Sequence, residues 1–140
     1  MTRSAAYVVF EKDGKVLLMR RKDTGWMDGM YGLPSGHVED GESPTVAAAR
    51  EALEETGARV DPTSLRPVHV MHRSPGEESD KEYYDFFFIP LEWQGEPSIS
   101  EPSKCDELGW FAWDDLPDNI VPSVKAALNS VHRKDFYSER

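Results

Sequence analysis

The stretch SPTVAAAREALEETG, residues 43–57, constrains the fold more than any other part of the chain, because both ends of one helix are written into it. Ser43 can accept hydrogen bonds from the free N–H groups of a first helical turn, and Pro44 suits the first helical position, where its missing donor is not needed. Thr45 to Thr56 are good helix formers, and Gly57 supplies the left-handed residue that ends the helix. At about 100° per residue, Val46, Ala49, Ala52 and Leu53 fall on one side, the expected core face. Glu51, Glu54 and Glu55 fall roughly opposite. As a surface pattern this is poor: Glu51 and Glu55 repel at i,i+4, and Glu54 and Glu55 sit in the C-terminal half, where the helix dipole disfavours anions. Arg50 can pair with Glu54 or reach back to Glu42, but it cannot neutralise all of them.

Around this helix the sequence alternates β-type runs with turns. AAYVVF (5–10) and KVLLMRR (15–21) flank EKDG, whose Asp13-Gly14 pair signals a hairpin. KDTGWMDGMYG reads as a loop presenting Trp26, Met27, Met30 and Tyr31, and 33–39 as a short extended segment. Strands are expected at 66–73, 82–91 and 107–113, with SPGEESD turning between the first two, and a second helix from near Pro122. Helices that interrupt and follow strands give an α/β or α+β class with a mixed sheet. The 140 residues suit one domain, with no linker or repeat dividing them.

A formal charge of −10 argues against a nucleic-acid polymer as ligand, since such binding needs a basic footprint that releases counterions. A small phosphorylated ligand stays open if a metal supplies positive charge. The single cysteine, Cys105, makes no internal disulfide and is expected in the core; this fits a cytoplasmic protein. The N-terminal apolar run is broken by Glu11 and is too short for a membrane span. No exposed apolar stripe requires a homodimer, although the option stays open.

A hard divalent cation would relieve the repulsion among Glu51, Glu54 and Glu55, because Mg²⁺ takes carboxylate oxygens while keeping waters and substrate phosphates. Residues 36–58 indeed resemble the Nudix box, G-x5-E-x7-R-E-U-x-E-E-x-G-U: Gly36, Glu42, Arg50, Glu51, Glu54, Glu55 and Gly57 stand at its fixed positions. Ala52 and Ala58 occupy the aliphatic positions U and are smaller than usual there. LLMRR, YGLPSG and ELGWFAWDDLP resemble the flanking segments of MutT-type members. The resemblance implies an α/β/α sandwich on a mixed sheet, with the box as loop–helix–loop. It also implies Mg²⁺-dependent hydrolysis, with Mn²⁺ as a substitute, of a nucleoside diphosphate linked to a moiety X.

Carried over residue by residue, the resemblance makes Glu51, Glu54 and Glu55 metal ligands, together with the backbone carbonyl of Ser35. Glu42 and Arg50 become a supporting pair, and Gly36 and Gly57 serve backbone conformations that a Cβ would hinder. The acid that accepts a proton from water is Glu51 or one beyond the box, Glu107 first, with Glu101 and Asp106 as neighbours. Arg21 is the candidate for the substrate phosphates, Trp26 and Tyr31 for stacking on a base, and Asn119 for reading its edge. Phe86 to Phe88 and Trp110 are expected in the core, and His69 and His72 on one exposed strand face. The favoured substrate is a nucleoside triphosphate, including oxidised or non-standard ones, cleaved to a monophosphate and pyrophosphate. The alternatives are an ADP-ribose or nucleotide-sugar pyrophosphatase and a non-catalytic nucleotide sensor of the same fold.

Overall fold

The first β-type run does not pair with its neighbour in sequence. In the computed structural model, which describes residues 2–140, β1 (Thr2–Val8) runs parallel to a strand some eighty residues away. The hairpin at Asp13-Gly14 instead joins two short strands, β2 (Glu11–Lys12) and β3 (Lys15–Arg21). The turn forms as expected, with Asp13 and Gly14 both at positive φ, but the chain turns away after Val8 into a second sheet. The remaining elements are β4 (Tyr31–Gly32), β5 (Ser35–His37), α1 (Pro44–Thr56), a 3₁₀ turn at Pro62–Ser64, β6 (Leu65–Arg73), β7 (Glu82–Pro90), β8 (Cys105–Ala112), α2 (Pro122–Arg133) and β9 (Tyr137–Glu139).

A five-stranded mixed sheet has the order β5-β1-β7-β6-β9, with β1/β7 and β6/β9 parallel and the other pairs antiparallel. A smaller antiparallel sheet is built on β3, which pairs with β2, β4 and β8. Residues 5–10 show why the chain layers as it does. In an extended run successive side chains point to opposite faces. Ala5, Tyr7 and Val9 join one core with Leu18, Phe87 and Leu128 of α2, whereas Ala6, Val8 and Phe10 join another with Leu17, Phe88 and the alanines of α1. Each helix therefore covers one face, giving the expected α/β/α sandwich. A fully buried Phe10 or Phe87 contributes about 1.5–3 kcal/mol of transfer free energy.

Helix α1 starts and stops where the sequence marks it. Ser43 accepts from the Val46 N–H, and Gly57, at φ 76°, donates to the Leu53 carbonyl. Its buried face is rotated from the expected one: Ala47, Ala48, Ala52 and Thr56 are buried, while Val46 and Leu53 are 45% and 41% exposed. Small side chains let the helix lie close to the sheet, and this close approach outweighs the larger but outward Val46 and Leu53. Ala52 and Ala58 are wholly buried, so their small size is matched by the space there.

β6 also departs from expectation. His69 is buried, its Nδ1 against the Asp135 carbonyl and its Nε2 against Ser138 Oγ, both at 2.7 Å. His72 lies on the opposite face and pairs with Glu82 at 2.7 Å. Residues three apart on a strand cannot share a face. The loop aromatics are not free either: Tyr31 is buried edge-on against Phe111, and Trp26, Met27 and Met30 pack partly against the core. Cys105 is buried as expected. Among the described residues no helix is long and apolar enough to cross a membrane.

Candidate active site

Rotation of α1 carries two of its acids inward. The buried stripe 47/48/52/56 advances by four and five residues, so Glu51 and Glu55 lie on its edge, over the end of the sheet, while Glu54 stays exposed. Together the three border a cavity of about 440 Å³ whose other walls include Arg21, Ser35 and Gly36.

Arg50 organises one side of this cavity. Its Nε and Nη2 donate to the two oxygens of Glu42 at 2.8 and 2.9 Å, a bidentate fork, and its Nη1 donates to Glu51 Oε1 at 2.8 Å. Nη2 also reaches the His37 carbonyl at 3.2 Å. Arg50 holds Glu42 down at about 2, with the Glu39 N–H helping. Glu54 lies 3.7 Å from the same guanidinium, a weaker contact.

Gly36 shows a close approach. A Cβ there would fall inside the Glu51 carboxylate. Its backbone is not in the left-handed region, so the reason for glycine is the space Glu51 takes, rather than φ. Gly57 does need its positive φ.

Glu55 is the anomalous group. Its Oε2 accepts from the Ser35 N–H at 2.8 Å, but no cation forms an ion pair with it among the described residues. Burial first, and the neighbouring Glu51 carboxylate second, push it up to about 8. Burial also raises Glu51. Among the described residues no three His, Cys, Asp or Glu side chains meet at ligand spacing, because Glu51 is turned onto Arg50 and Glu55 onto Ser35. The donor set still fits a hard divalent ion: oxygen ligands only, with Glu55 set into the site without an ion-pair partner.

The acids beyond the box separate clearly. Glu101 and Lys104 border the cavity, 3.9 Å apart. Glu107 does not border it. Its register partner on β3 is Arg20, whose Nη1 lies 3.1 Å from Glu107 and whose Nε lies 2.8 Å from Asp106, all at the surface. Both acids are tied to Arg20, which borders the cavity, but neither acid lines the cavity wall itself.

Of the basic run Arg20-Arg21-Lys22, Arg20 and Arg21 border the cavity and Lys22 does not; Arg20 is tied to Asp106 and Glu107, which leaves Arg21 as the cation of the run facing the carboxylates. Its Nε donates to the Trp26 carbonyl at 2.7 Å, and its guanidinium lies 4.8 Å from the Trp26 ring centroid. Trp26 itself donates from Nε1 to the Glu78 carbonyl and borders a second cavity of about 370 Å³. This second space lies beside the first, and the two share Arg21, Ser35, Gly36 and His37 as walls. Tyr31 and Asn119 border neither. Asn119 Nδ2 donates to the Gly29 carbonyl at 3.0 Å, and its own carbonyl accepts from Tyr31, so it fastens the loop of residues 23–30.

Sequence reading passes over Arg73, Asp85, Tyr83 and His37, which border or support the second cavity. The available signal is Asp85, a lone acid within YYDFFF, which calls for a buried partner. That partner is Arg73: Nε to Oδ2 is 2.9 Å and Nη2 to Oδ1 is 3.2 Å, with side chains only 7% and 1% exposed. Removing one member of such a pair costs about 3–5 kcal/mol.

A carboxylate cavity at a helix–loop junction, beside an aromatic one, has the groups that a metal-dependent hydrolase needs. The NUDIX domain model matches residues 1–131, and the chain belongs to that family. It is 34% identical over 92 residues to the 8-oxo-dGTP diphosphatase of Proteus vulgaris, covering 66% of this chain and 78% of that protein. It is 34% identical over 109 residues to the ADP-ribose pyrophosphatase of Methanocaldococcus jannaschii, covering 78% of this chain and 61% of that protein. The crystal structure of a MutT NUDIX hydrolase from Burkholderia pseudomallei superposes with a TM-score of 0.82 at 29% identity, covering 92% of this chain and 97% of that one. The protein is thus a Nudix pyrophosphohydrolase, and enzymes of this family use divalent metals.

Proposed function

We propose that the protein hydrolyses a nucleoside triphosphate, standard or oxidised, to a monophosphate and pyrophosphate, with Mg²⁺ as the working ion and Mn²⁺ as a substitute. The supporting observation is that the two cavities are neighbours sharing a wall that includes Arg21: one holds carboxylates, and the other offers Trp26, Tyr83 and His37. That order suits a phosphate chain followed by a flat base. On this reading residues 1–140 act as one domain on free nucleotides in the cytoplasm.

Glu51, Glu54, Glu55 and the Ser35 carbonyl would hold the divalent ions. When bound, such ions neutralise phosphate oxygens, lower the pKa of water at the site and steady the leaving pyrophosphate. Arg21 binds phosphate oxygens and so helps place the anhydride. Arg50, fixed by Glu42, holds the Glu51 carboxylate in position. Glu51 or Glu101 takes the proton as water oxygen attacks phosphorus and the anhydride P–O bond breaks. Lys104, beside Glu101, adds a cation near the departing phosphates.

The test is turnover of a panel of nucleoside triphosphates, ADP-ribose and nucleotide sugars with Mg²⁺ and Mn²⁺. The reading expects pyrophosphate from triphosphates and loss of that activity in Glu55→Gln. Preferential cleavage of ADP-ribose would overturn it, as would nucleotide binding without any hydrolysis, which would identify a sensor.

A further inference from the structure

We infer that Arg73, held by Asp85, is the base-reading residue of this protein, and that it selects nucleotides whose base carries a ring carbonyl over adenine nucleotides. This rests on the preceding proposal only for the placement of the phosphates in the carboxylate cavity.

Asp85 engages Nε and Nη2 of Arg73, which leaves Nη1 with no hydrogen bond. Among the described residues no fully buried side-chain nitrogen or oxygen lacks a partner, so Nη1 opens onto accessible space. Arg73 borders the aromatic cavity and also a smaller dent at the 74–78 turn. Its guanidinium is seated 4.3 Å from the ring centroid of Tyr83, which borders only the former. The group at the cavity wall is therefore a guanidinium whose Nη1 carries two unused N–H donors, fixed in plane by a bidentate carboxylate and by stacking.

The charge balance shows what such a wall would take. Asp85 neutralises Arg73, so the cationic pull on phosphate comes from Arg21, at the wall shared with the carboxylate cavity, and the Arg73 end suits a neutral, flat ligand. Arg is donor-only. It rewards a carbonyl oxygen, as in guanine, uracil, thymine or an oxidised guanine, and it opposes the amino group that flanks the acceptors of adenine. Trp26, anchored by its ring N–H to the Glu78 carbonyl, and Tyr83, anchored to His37 at 2.9 Å, are rings at fixed positions, each with one face covered by a guanidinium (Arg21 and Arg73) and the other face left for a base. Asn119, the residue otherwise suited to this task, is committed to Gly29.

The experiment is calorimetric titration of the whole protein, with Mg²⁺, by GMP, UMP and AMP, repeated on Arg73→Gln/Asp85→Asn. The double variant removes both charges together, and its folding is checked by thermal melting. The wild type should bind GMP and UMP about tenfold more tightly than AMP, the effect of one well-placed hydrogen bond. The double variant should lose that preference by weakening GMP and UMP while leaving AMP unchanged. Equal or tighter AMP binding by the wild type overturns the inference, whether or not the variant folds. A folded variant that keeps the preference overturns it too. Because binding is read without turnover, preferential GMP binding together with absent hydrolysis would sink the proposed activity and leave Arg73 as the base reader.

Discussion

Gly36 and Glu51 occupy the same small volume: the carboxylate of Glu51 lies where a side chain at position 36 would begin. Arg50 pins that carboxylate from its other side at 2.8 Å, so it has no simple escape. Gly36→Ala should therefore push Glu51 out of place while leaving the helix and its caps intact. Turnover is expected to fall about 100-fold, in line with an ångström-scale displacement of a positioned group. Kinetics and circular dichroism check this together. A folded Gly36→Ala protein with wild-type turnover would remove Glu51 from the site.

Glu55 gives a pH prediction for the protein stripped of divalent ions. Its folded-state value, about 8, lies above the ordinary 4.5, so the fold favours the protonated form. The associated stability is fully present below about 4.5 and is lost as pH rises through about 8. Melting temperature without metal should fall across that window, and Glu55→Gln should flatten the slope. Added Mg²⁺ should restore stability mainly at the alkaline end, where the carboxylate is ionised. Melts from pH 5 to 9, with and without Mg²⁺, read all three effects.

The Arg50–Glu42 fork predicts the opposite slope in acid. Glu42 is held at about 2, below its usual 4.5, so its contribution is present above about 4.5 and disappears as pH drops through about 2. Glu42→Gln should lower the melting temperature at neutral pH and narrow its gap from wild type towards pH 2. Arg50→Lys should mimic it, because a lysine cannot form the fork. A constant gap from pH 7 to pH 2 would contradict this assignment.

Glu101 and Glu107 should separate on substitution. Glu101→Gln, at the cavity wall, is expected to reduce kcat about 100-fold or more if it accepts the proton. Glu107→Gln should leave kcat within about twofold, since Arg20 keeps its 2.8 Å bond to Asp106 and a surface pair contributes little. If Glu101→Gln is silent as well, Glu51 carries the proton transfer. A large loss in Glu107→Gln would mean the β8 strand end rearranges on substrate binding.

What the sequence by itself determined is local. Ser43, Pro44 and Gly57 delimit α1 because caps are satisfied by residues next to them in the chain. The spacing of Arg50, Glu51, Glu54 and Glu55 points to the proposed site because one helix brings these residues together, and Gly36 and Glu42 lie in the strand and loop that lead directly into it. Other matters waited for tertiary structure. Which face of α1 is buried depended on how closely alanines let it approach the sheet, so Val46 and Leu53 point outward despite their hydrophobicity. The split of 5–10 and 15–21 into different sheets was settled by β1 pairing with β7, a long-range choice no turn signal records. The pairing of Arg73 with Asp85 follows the β6–β7 register, Glu101 enters the cavity through the connection before β8, and Glu107 is tied to Arg20 without lining the cavity wall. The carboxylates proposed to bind metal are thus near neighbours in the chain, whereas the surface proposed to read the base is assembled from strands and loops that meet only on folding.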